Sequence, residues 1–118
     1  MSYDIGVWVG ESPPDVASAI ERFQEHMIRL EGEPEPPHPA ILAYIEELTS
    51  RYPDLTELPD EDVDESPWAD GPLVNNATGP FFYFSMTYSG AEKALEFVAE
   101  AAARRGLVCF DPQGTRLI

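Results

Sequence analysis

The stretch Phe81-Phe82-Tyr83-Phe84-Ser85-Met86-Thr87-Tyr88 decides the fold of this 118-residue chain. It lies between the breakers Gly79-Pro80 and Ser89-Gly90, and it is rich in the aromatic residues that favour strands. Because side chains alternate across a strand, one face of it is apolar and consists of Phe82, Phe84, Met86 and Tyr88. The opposite face is mixed. The stretch therefore predicts a central antiparallel strand with one face in the core.

The remaining chain supplies helices and shorter strands around this central strand. Alternating or short apolar runs predict strands at residues 3–9, 72–75 and 107–110, and residues 115–118 form a short terminal strand or a tail. Apolar stripes with end signals predict helices at residues 12–30, 39–52 and 89–105. Between the first two helices, the proline-rich residues 33–39 predict a stiff, extended connector.

This order of elements, βααββαβ, predicts an α+β protein of the ferredoxin-like sandwich class. In that class the helices share one face of an antiparallel sheet and leave the other face open. The length predicts a single domain, residues 1–118, with residues 54–70 as a long acidic loop.

An open sheet face would carry three aromatic side chains, those of Trp8, Phe81 and Tyr83. RNA-recognition domains stack bases on such a face, but the basic residues that accompany this use are missing from these strands. The open alternatives are binding of another protein, a homodimer through the sheet face, or cover by the C-terminal segment.

Charge is the strongest compositional signal. Twenty-two acidic and seven basic residues give a net charge of −15. Such a charge repels nucleic acids and anionic lipid surfaces and attracts a basic protein surface, although an acidic surface that only maintains solubility is the alternative. The single cysteine, Cys109, excludes an internal disulfide, and the N-terminal residues lack the pattern of a signal peptide. We therefore expect a cytoplasmic protein without a membrane span.

The acidic charge is densest in residues 54–70, which we call the acidic segment. It contains eight acidic residues and no basic one, and Trp68 is predicted to pin it to the fold. We expect a basic protein partner to bind there, through Asp60, Glu61, Asp62, Asp64, Glu65, Trp68 and Asp70.

No motif for catalysis, metal binding or a cofactor survives inspection. Asp60, Asp62 and Asp64 match the start of a calcium-binding loop, but Glu65 and Gly71 stand where that loop requires Gly and Glu. Cys109 lies in an apolar strand, where cysteine behaves as a small hydrophobe, and His26 has no second ligand beside it. Enzymatic activity is uncertain and less expected than binding, and no catalytic residue, metal or cofactor is assigned.

Three short segments, Ser66-Pro67-Trp68-Ala69, Gly106-Leu107-Val108 and Phe110-Asp111-Pro112-Gln113, carry a resemblance. The chain resembles a family of small, acidic bacterial proteins for which no activity is established. Some members of that family look like immunity proteins of toxin systems, so the resemblance implies a protein-binding role and assigns no residue.

We therefore expect a non-catalytic interaction domain that binds a basic protein. In one version of this hypothesis, binding neutralises that protein. The second hypothesis is a small-molecule or catalytic pocket near Trp68 and the turn with Asp111 and Gln113. The third is an acidic domain without a specific partner for the acidic segment.

Overall fold

The computed structural model describes residues 2–118 and contains five strands and three α-helices. The strands are β1 (Tyr3–Trp8), β2 (Ala77–Thr78), β3 (Phe81–Met86), β4 (Val108–Asp111) and β5 (Arg116–Leu117). The helices are α1 (Val16–Leu30), α2 (Pro39–Arg51) and α3 (Tyr88–Arg104). Short 3-10 turns occupy Leu55–Glu57, Asp60–Glu65 and Leu73–Asn76.

The strands form one antiparallel sheet in the order β2-β3-β1-β4-β5. The sequence prediction of an α+β protein with a central antiparallel β3 is confirmed. β1 and β3 pair along their whole length, from Tyr3 opposite Met86 to Trp8 opposite Phe81. This register sorts the side chains of both strands onto two faces of the sheet, because residues directly opposite each other point the same way.

One face of the sheet packs against α2 and α3. Ile5 and Val7 of β1 and Phe82, Phe84 and Met86 of β3 are buried there. Tyr44 of α2 donates a hydrogen bond from its hydroxyl to the carbonyl oxygen of Val98 in α3, at 2.8 Å, so the two helices are joined within this layer. The larger core of the protein lies on this side, as the alternation of β3 predicts.

The other face of the sheet is covered by α1, so the expectation that all helices share one face is wrong. Trp8 is 2% exposed and Phe81 is fully buried. Phe23 of α1 lies over both, with its ring centroid 6.5 Å from that of Trp8 and 6.2 Å from that of Phe81. The cause is visible in the strands themselves: Phe81, Tyr83 and Phe110 form a second apolar face, and the apolar stripe of α1 packs against it.

The proline-rich connector carries the chain from one face of the sheet to the other. It is extended through residues 33–38 and passes along the β2–β3 turn at the sheet edge. The backbone N–H of Glu35 donates to the Thr78 hydroxyl at 2.7 Å, and that of His38 donates to the Gly79 carbonyl at 2.8 Å. The prediction of an extended connector is confirmed, and its position explains how α1 and α2 reach opposite faces.

Several element ends differ from the sequence prediction. β3 stops at Met86, because Thr87 is the N-cap of α3 and accepts a hydrogen bond from the Gly90 N–H at 2.9 Å. Tyr88 is therefore 46% exposed on the helix rather than part of the apolar strand face. α1 begins at Val16 with Asp15 as its N-cap, not at residue 12 as the sequence predicts. The strand predicted at residues 72–75 is largely a 3-10 turn, and β2 lies just after it.

Candidate functional site

The aromatic residues predicted for an open sheet face do not form an accessible surface. Trp8 and Phe81 are buried beneath α1, and Tyr83 is half-buried beside Phe23, at 6.0 Å between ring centroids. A homodimer through this face has lost its structural basis, since α1 occupies the place of the second sheet. The cover comes from α1, and Leu117 of the C-terminal β5 packs against the same cluster.

The acidic segment is ordered by two 3-10 turns rather than lacking structure. The turn Asp60–Glu65 presents exposed carboxylates on Asp60, Glu61, Asp64 and Glu65, with Asp62 half-buried. Within residues 2–118, none of these carboxylates forms an ion pair with a basic residue. The segment therefore presents uncompensated negative charge from a defined backbone.

Trp68 pins the acidic segment to the fold, as the sequence predicts. Its side chain is 2% exposed, its indole N–H donates to the Tyr52 carbonyl at 2.7 Å, and its backbone pairs with Met86. Because Trp68 is part of the core, its side chain is not available to a partner. Asp70, in contrast, is exposed and accepts from the Asn76 amide at 3.3 Å.

Asp54 is a second anchor, and it is structural rather than part of the exposed acidic surface. It is 8% exposed and accepts from the Leu73 N–H at 2.9 Å and from Thr56. The charge-assisted hydrogen bond from Leu73 ties the start of the acidic segment to the chain just beyond its end. Trp68 and Asp54 together hold the turn Asp60–Glu65 against α2 and α3.

A groove of about 200 Å³ lies between this turn and the two helices. Its lining combines apolar and acidic side chains: Tyr52, Pro53, Leu58, Asp62, Glu65, Ser66, Pro67 and Lys93. Lys93 is its only basic residue, and its ammonium donates to the Glu65 carbonyl at 3.1 Å and lies 5.6 Å from the Tyr52 ring centroid. We call this cavity the Lys93 groove.

The groove was not predicted from the sequence, although the sequence contains one signal of it. Lys93 is the only base between Arg51 and Arg104, in a stretch dominated by acids. The contribution of Tyr52 and Pro53 could not be read from the sequence, because it depends on how the end of α2 meets the acidic segment.

Asp111 and Gln113, predicted to line a pocket, instead join the strands at one end of the sheet. Asp111 is fully buried and accepts from the Tyr3 hydroxyl at 2.5 Å and from the Arg116 guanidinium at 3.0 Å. Gln113 holds the backbone of Asp4, donating to its carbonyl at 2.8 Å. Burial would raise the pKa of Asp111, but its hydrogen bonds, that from Tyr3 foremost, outweigh burial and lower the pKa. The side chains of Asp111 and Gln113 are therefore already engaged in hydrogen bonds within the protein.

Cys109 lies in the core, where burial, and to a lesser degree the charge of Asp111, raises the pKa of its thiol to about 12. A thiol of that pKa is a poor nucleophile near neutral pH. Within residues 2–118, no three His, Cys, Asp or Glu side chains converge to hold a metal ion. None of the helices in this range has the length and apolar character needed to cross a membrane.

Comparison with protein-family models, with curated proteins and with solved structures gives no match for this chain. The resemblance noted from the short segments stays a prediction. The function must therefore be inferred from the geometry of the molecule itself.

Proposed function

We propose that this protein is a non-catalytic interaction domain whose acidic segment binds a basic protein. The observation that carries the proposal is the row of exposed, unpaired carboxylates on the turn Asp60–Glu65, placed directly beside the Lys93 groove. Neutralisation of a basic toxin protein is one role of this kind.

The groove gives this surface more than charge. An arginine or lysine side chain has an apolar stem and a charged head, and both need a suitable contact when the residue is bound. Leu58, Pro53 and Pro67 offer the apolar contact, whereas Asp62 and Glu65 offer the charge. The Tyr52 ring adds a face on which a cation is stabilised.

Lys93 shows that a cation fits this groove, because it already contacts the Tyr52 ring and the Glu65 carbonyl. It is exposed, so its contacts are weak and easily exchanged. A basic side chain from a partner would take the same positions and displace Lys93 toward solvent. The long-range field of a chain with net charge −15 would accelerate the encounter at low salt.

Affinity capture from extracts of the native cell tests the proposal. The wild-type chain is compared with a variant that carries Asp60→Asn, Glu61→Gln, Asp64→Asn and Glu65→Gln. We expect a basic protein to be retained by the wild type, to be released as salt is raised, and to be lost with the variant.

A matched control separates this surface from total charge. The control carries Glu21→Gln, Glu31→Gln, Glu46→Gln and Glu92→Gln, which removes the same number of exposed acids from the three helices and the C-cap of α1. It should retain the partner. Equal loss in both variants would show that net charge alone drives binding, and no salt-sensitive partner for the wild type would show that the acidity serves solubility only.

We also infer that the fold is a variant of the ferredoxin-like sandwich. The strand order β2-β3-β1-β4 and the antiparallel pairing of all neighbours support this assignment. The variant differs from the parent arrangement in two respects, since α1 lies on the opposite face and β5 extends the sheet beyond β4. An experimental structure with α1 packed beside α2 and α3 would overturn the assignment of a two-sided variant.

A further inference from the structure

A second cleft lies at the Trp8 end of β1, between α1 and the segment that follows the strand. It has a volume of about 220 Å³, which is below the usual size of a drug-sized site. Its lining residues are Trp8, Val9, Gly10, Glu11, Arg22, Glu25, His26, Arg29 and Pro80. We call it the His26 cleft, and it shares no residue with the Lys93 groove.

His26 breaks the local rule for a buried residue. Its side chain is 8% exposed and stacks on Phe81, with ring centroids 4.8 Å apart and planes inclined by 6°. Its Nδ1 is buried and, within residues 2–118, has no hydrogen-bond partner. A buried polar atom without a partner is destabilising, so an apolar side chain would serve the aromatic cluster better. Departures from local consistency of this kind concentrate at functional sites.

Two guanidinium groups flank His26. Arg22 and Arg29 lie one turn before and one turn after it on the same side of α1, because they are four and three residues away. Neither forms an ion pair within residues 2–118, although Glu25 lies four residues before Arg29.

The other five basic residues of the chain are engaged elsewhere. Arg104 and Arg105 bind Glu47, Arg116 binds Asp111, and Arg51 and Lys93 lie over the ring of Tyr52. In a chain with 22 acids, two uncommitted arginines beside one cleft are therefore an unusual concentration of available positive charge.

The cleft also contains negative charge, since Glu11 and Glu25 line it with the two arginines. Burial foremost, then the charges of Arg29 and Arg22, lower the pKa of His26 against the opposing effect of Glu25, so the ring is neutral near pH 7. The formal charges in the cleft then balance, with two of each sign. The two carboxylates and the net charge of −15 would repel a simple anion. A ligand that carries one positive and one negative charge has no net charge, so neither the carboxylates nor the net charge of the protein would exclude it.

We propose that the His26 cleft binds a small zwitterion, of which a free α-amino acid is the simplest example. The ligand carboxylate would lie between Arg22 and Arg29, and its ammonium group would face Glu11 and Glu25. The apolar surfaces of Val9 and Pro80, which are both partly exposed, would contact an aliphatic substituent. Two charge-assisted contacts of opposite sign make the recognition specific, because a ligand that lacks either charge leaves its protein partners unpaired.

Three matched probes test the proposal on the full chain: L-valine, 3-methylbutanoate, which lacks the ammonium group, and isobutylamine, which lacks the carboxylate. The imidazole proton resonances report binding by NMR, since the chain has two histidines. We expect L-valine to shift the His26 resonances in a saturable way and leave those of His38 unchanged. His38 is exposed and caps α2, so it is an internal reference. Each single-charge analogue should bind at least about tenfold more weakly.

Two variants and one control complete the design. Arg22→Gln with Arg29→Gln should remove the response to L-valine, and Glu11→Gln with Glu25→Gln should weaken it by about tenfold or more. Arg51→Gln, which removes an arginine outside the cleft, should leave it unchanged. Binding of 3-methylbutanoate as tightly as L-valine would overturn the zwitterion and show a plain oxyanion site. Equal shifts at His26 and His38, or none at His26, would overturn the site itself.

Discussion

The two faces of the sheet are built by different rules. On the face of α2 and α3, the strands contribute side chains such as Phe82 and Phe84, whose rings stack with centroids 4.5 Å apart. On the face of α1, the aromatic cluster is interrupted by polar groups. Tyr83 donates to the Asp4 carboxylate at 2.9 Å, and the buried His26 has an unpartnered nitrogen.

This difference separates stability from function along one sheet. The α2/α3 face buries the larger apolar cluster, and its buried Tyr44 hydroxyl has a hydrogen-bond partner, so this face supplies most of the stabilisation. The α1 face gives up part of that gain to position ionisable groups near Trp8. A sheet that is apolar on both faces can carry a core on one side and a candidate binding cleft on the other.

The largest effect should come from removing a ring on the α2/α3 face. Phe84 is 1% exposed, so Phe84→Ala should lower the free energy of unfolding by about 3–5 kcal/mol. Phe23→Ala on the α1 face should cost clearly less, because Phe23 is only half-buried. Denaturant unfolding with a common m-value measures both changes. If the two losses were equal, the two faces would contribute alike and the comparison would fail.

Two glycines sharpen the same comparison. A Cβ at Gly90 would lie 2.5 Å from the Cα and the carbonyl oxygen of Pro67, whereas a Cβ at Gly6 would lie 2.8 Å from the Phe23 ring. Backbone cannot yield as a half-buried ring can, so Gly90→Ala should cost about 1–3 kcal/mol and Gly6→Ala about 1 kcal/mol. Alanine usually stabilises a helix relative to glycine, so the loss expected for Gly90→Ala has the opposite sign to the usual effect. Thermal unfolding measures the order, and a stabilised Gly90→Ala variant would refute the close contact.

A smaller effect is expected from the polar network beneath α1. Asp4 accepts hydrogen bonds from Ser85 at 2.6 Å and from Tyr83 at 2.9 Å. Burial, then the hydrogen bond to Asp4, raises the pKa of the Tyr83 phenol to about 12. Tyr83→Phe should lower the unfolding free energy by about 1 kcal/mol near pH 7. Burial would raise the pKa of Asp4, but its hydrogen bonds, that from Ser85 first, lower it. The pKa of Asp4, followed by carboxyl NMR, should therefore rise in the variant, and an unchanged pKa would contradict the contact.

The smallest effect, and one of opposite sign, is expected at His26. His26→Phe should raise the unfolding free energy by up to about 1 kcal/mol near pH 7, because it replaces an unpartnered ring nitrogen by carbon.

The pH dependence should change with it. Burial, Arg29 and Arg22 lower the pKa of folded His26, and Glu25 opposes them, while Glu11 is the other carboxylate of the cleft. The unfolded chain therefore takes up this proton at higher pH. The contribution of the neutral ring to stability is complete above the unfolded pKa of about 6.5 and is lost as the pH falls through the folded pKa. In a plot of unfolding free energy against pH, the slope across this range should be smaller for His26→Phe than for the wild type. Equal slopes would contradict the lowered pKa.

The sequence predicted the central strand because period-two alternation in Phe81–Met86 is a local property. It failed on the layers, because the second apolar face was interpreted as an open surface. Two signals pointed to the two-sided sheet. Phe81 and Tyr83 make the second face apolar as well, and the amphipathic α1 needed a surface to cover.

Element ends and the clefts were harder to predict for a different reason. Thr87 and Ser89 are both good N-cap residues, and only the end of pairing between β3 and β1 selects Thr87. The His26 cleft joins α1 to Gly10 and Pro80, which are distant in the chain and lack a shared motif. Its parts come together only through tertiary packing.

The connector at residues 33–38 has one more consequence, which concerns the rims of the sheet. A sheet with a bare rim can template the addition of a foreign strand, and repeated addition leads to fibrils. Here Pro34, Pro36 and Pro37 stand beside the two-residue β2, and proline has no N–H with which to begin a new ladder. The segment that carries the chain between the layers thus also protects a rich aromatic sheet from polymerisation along that rim.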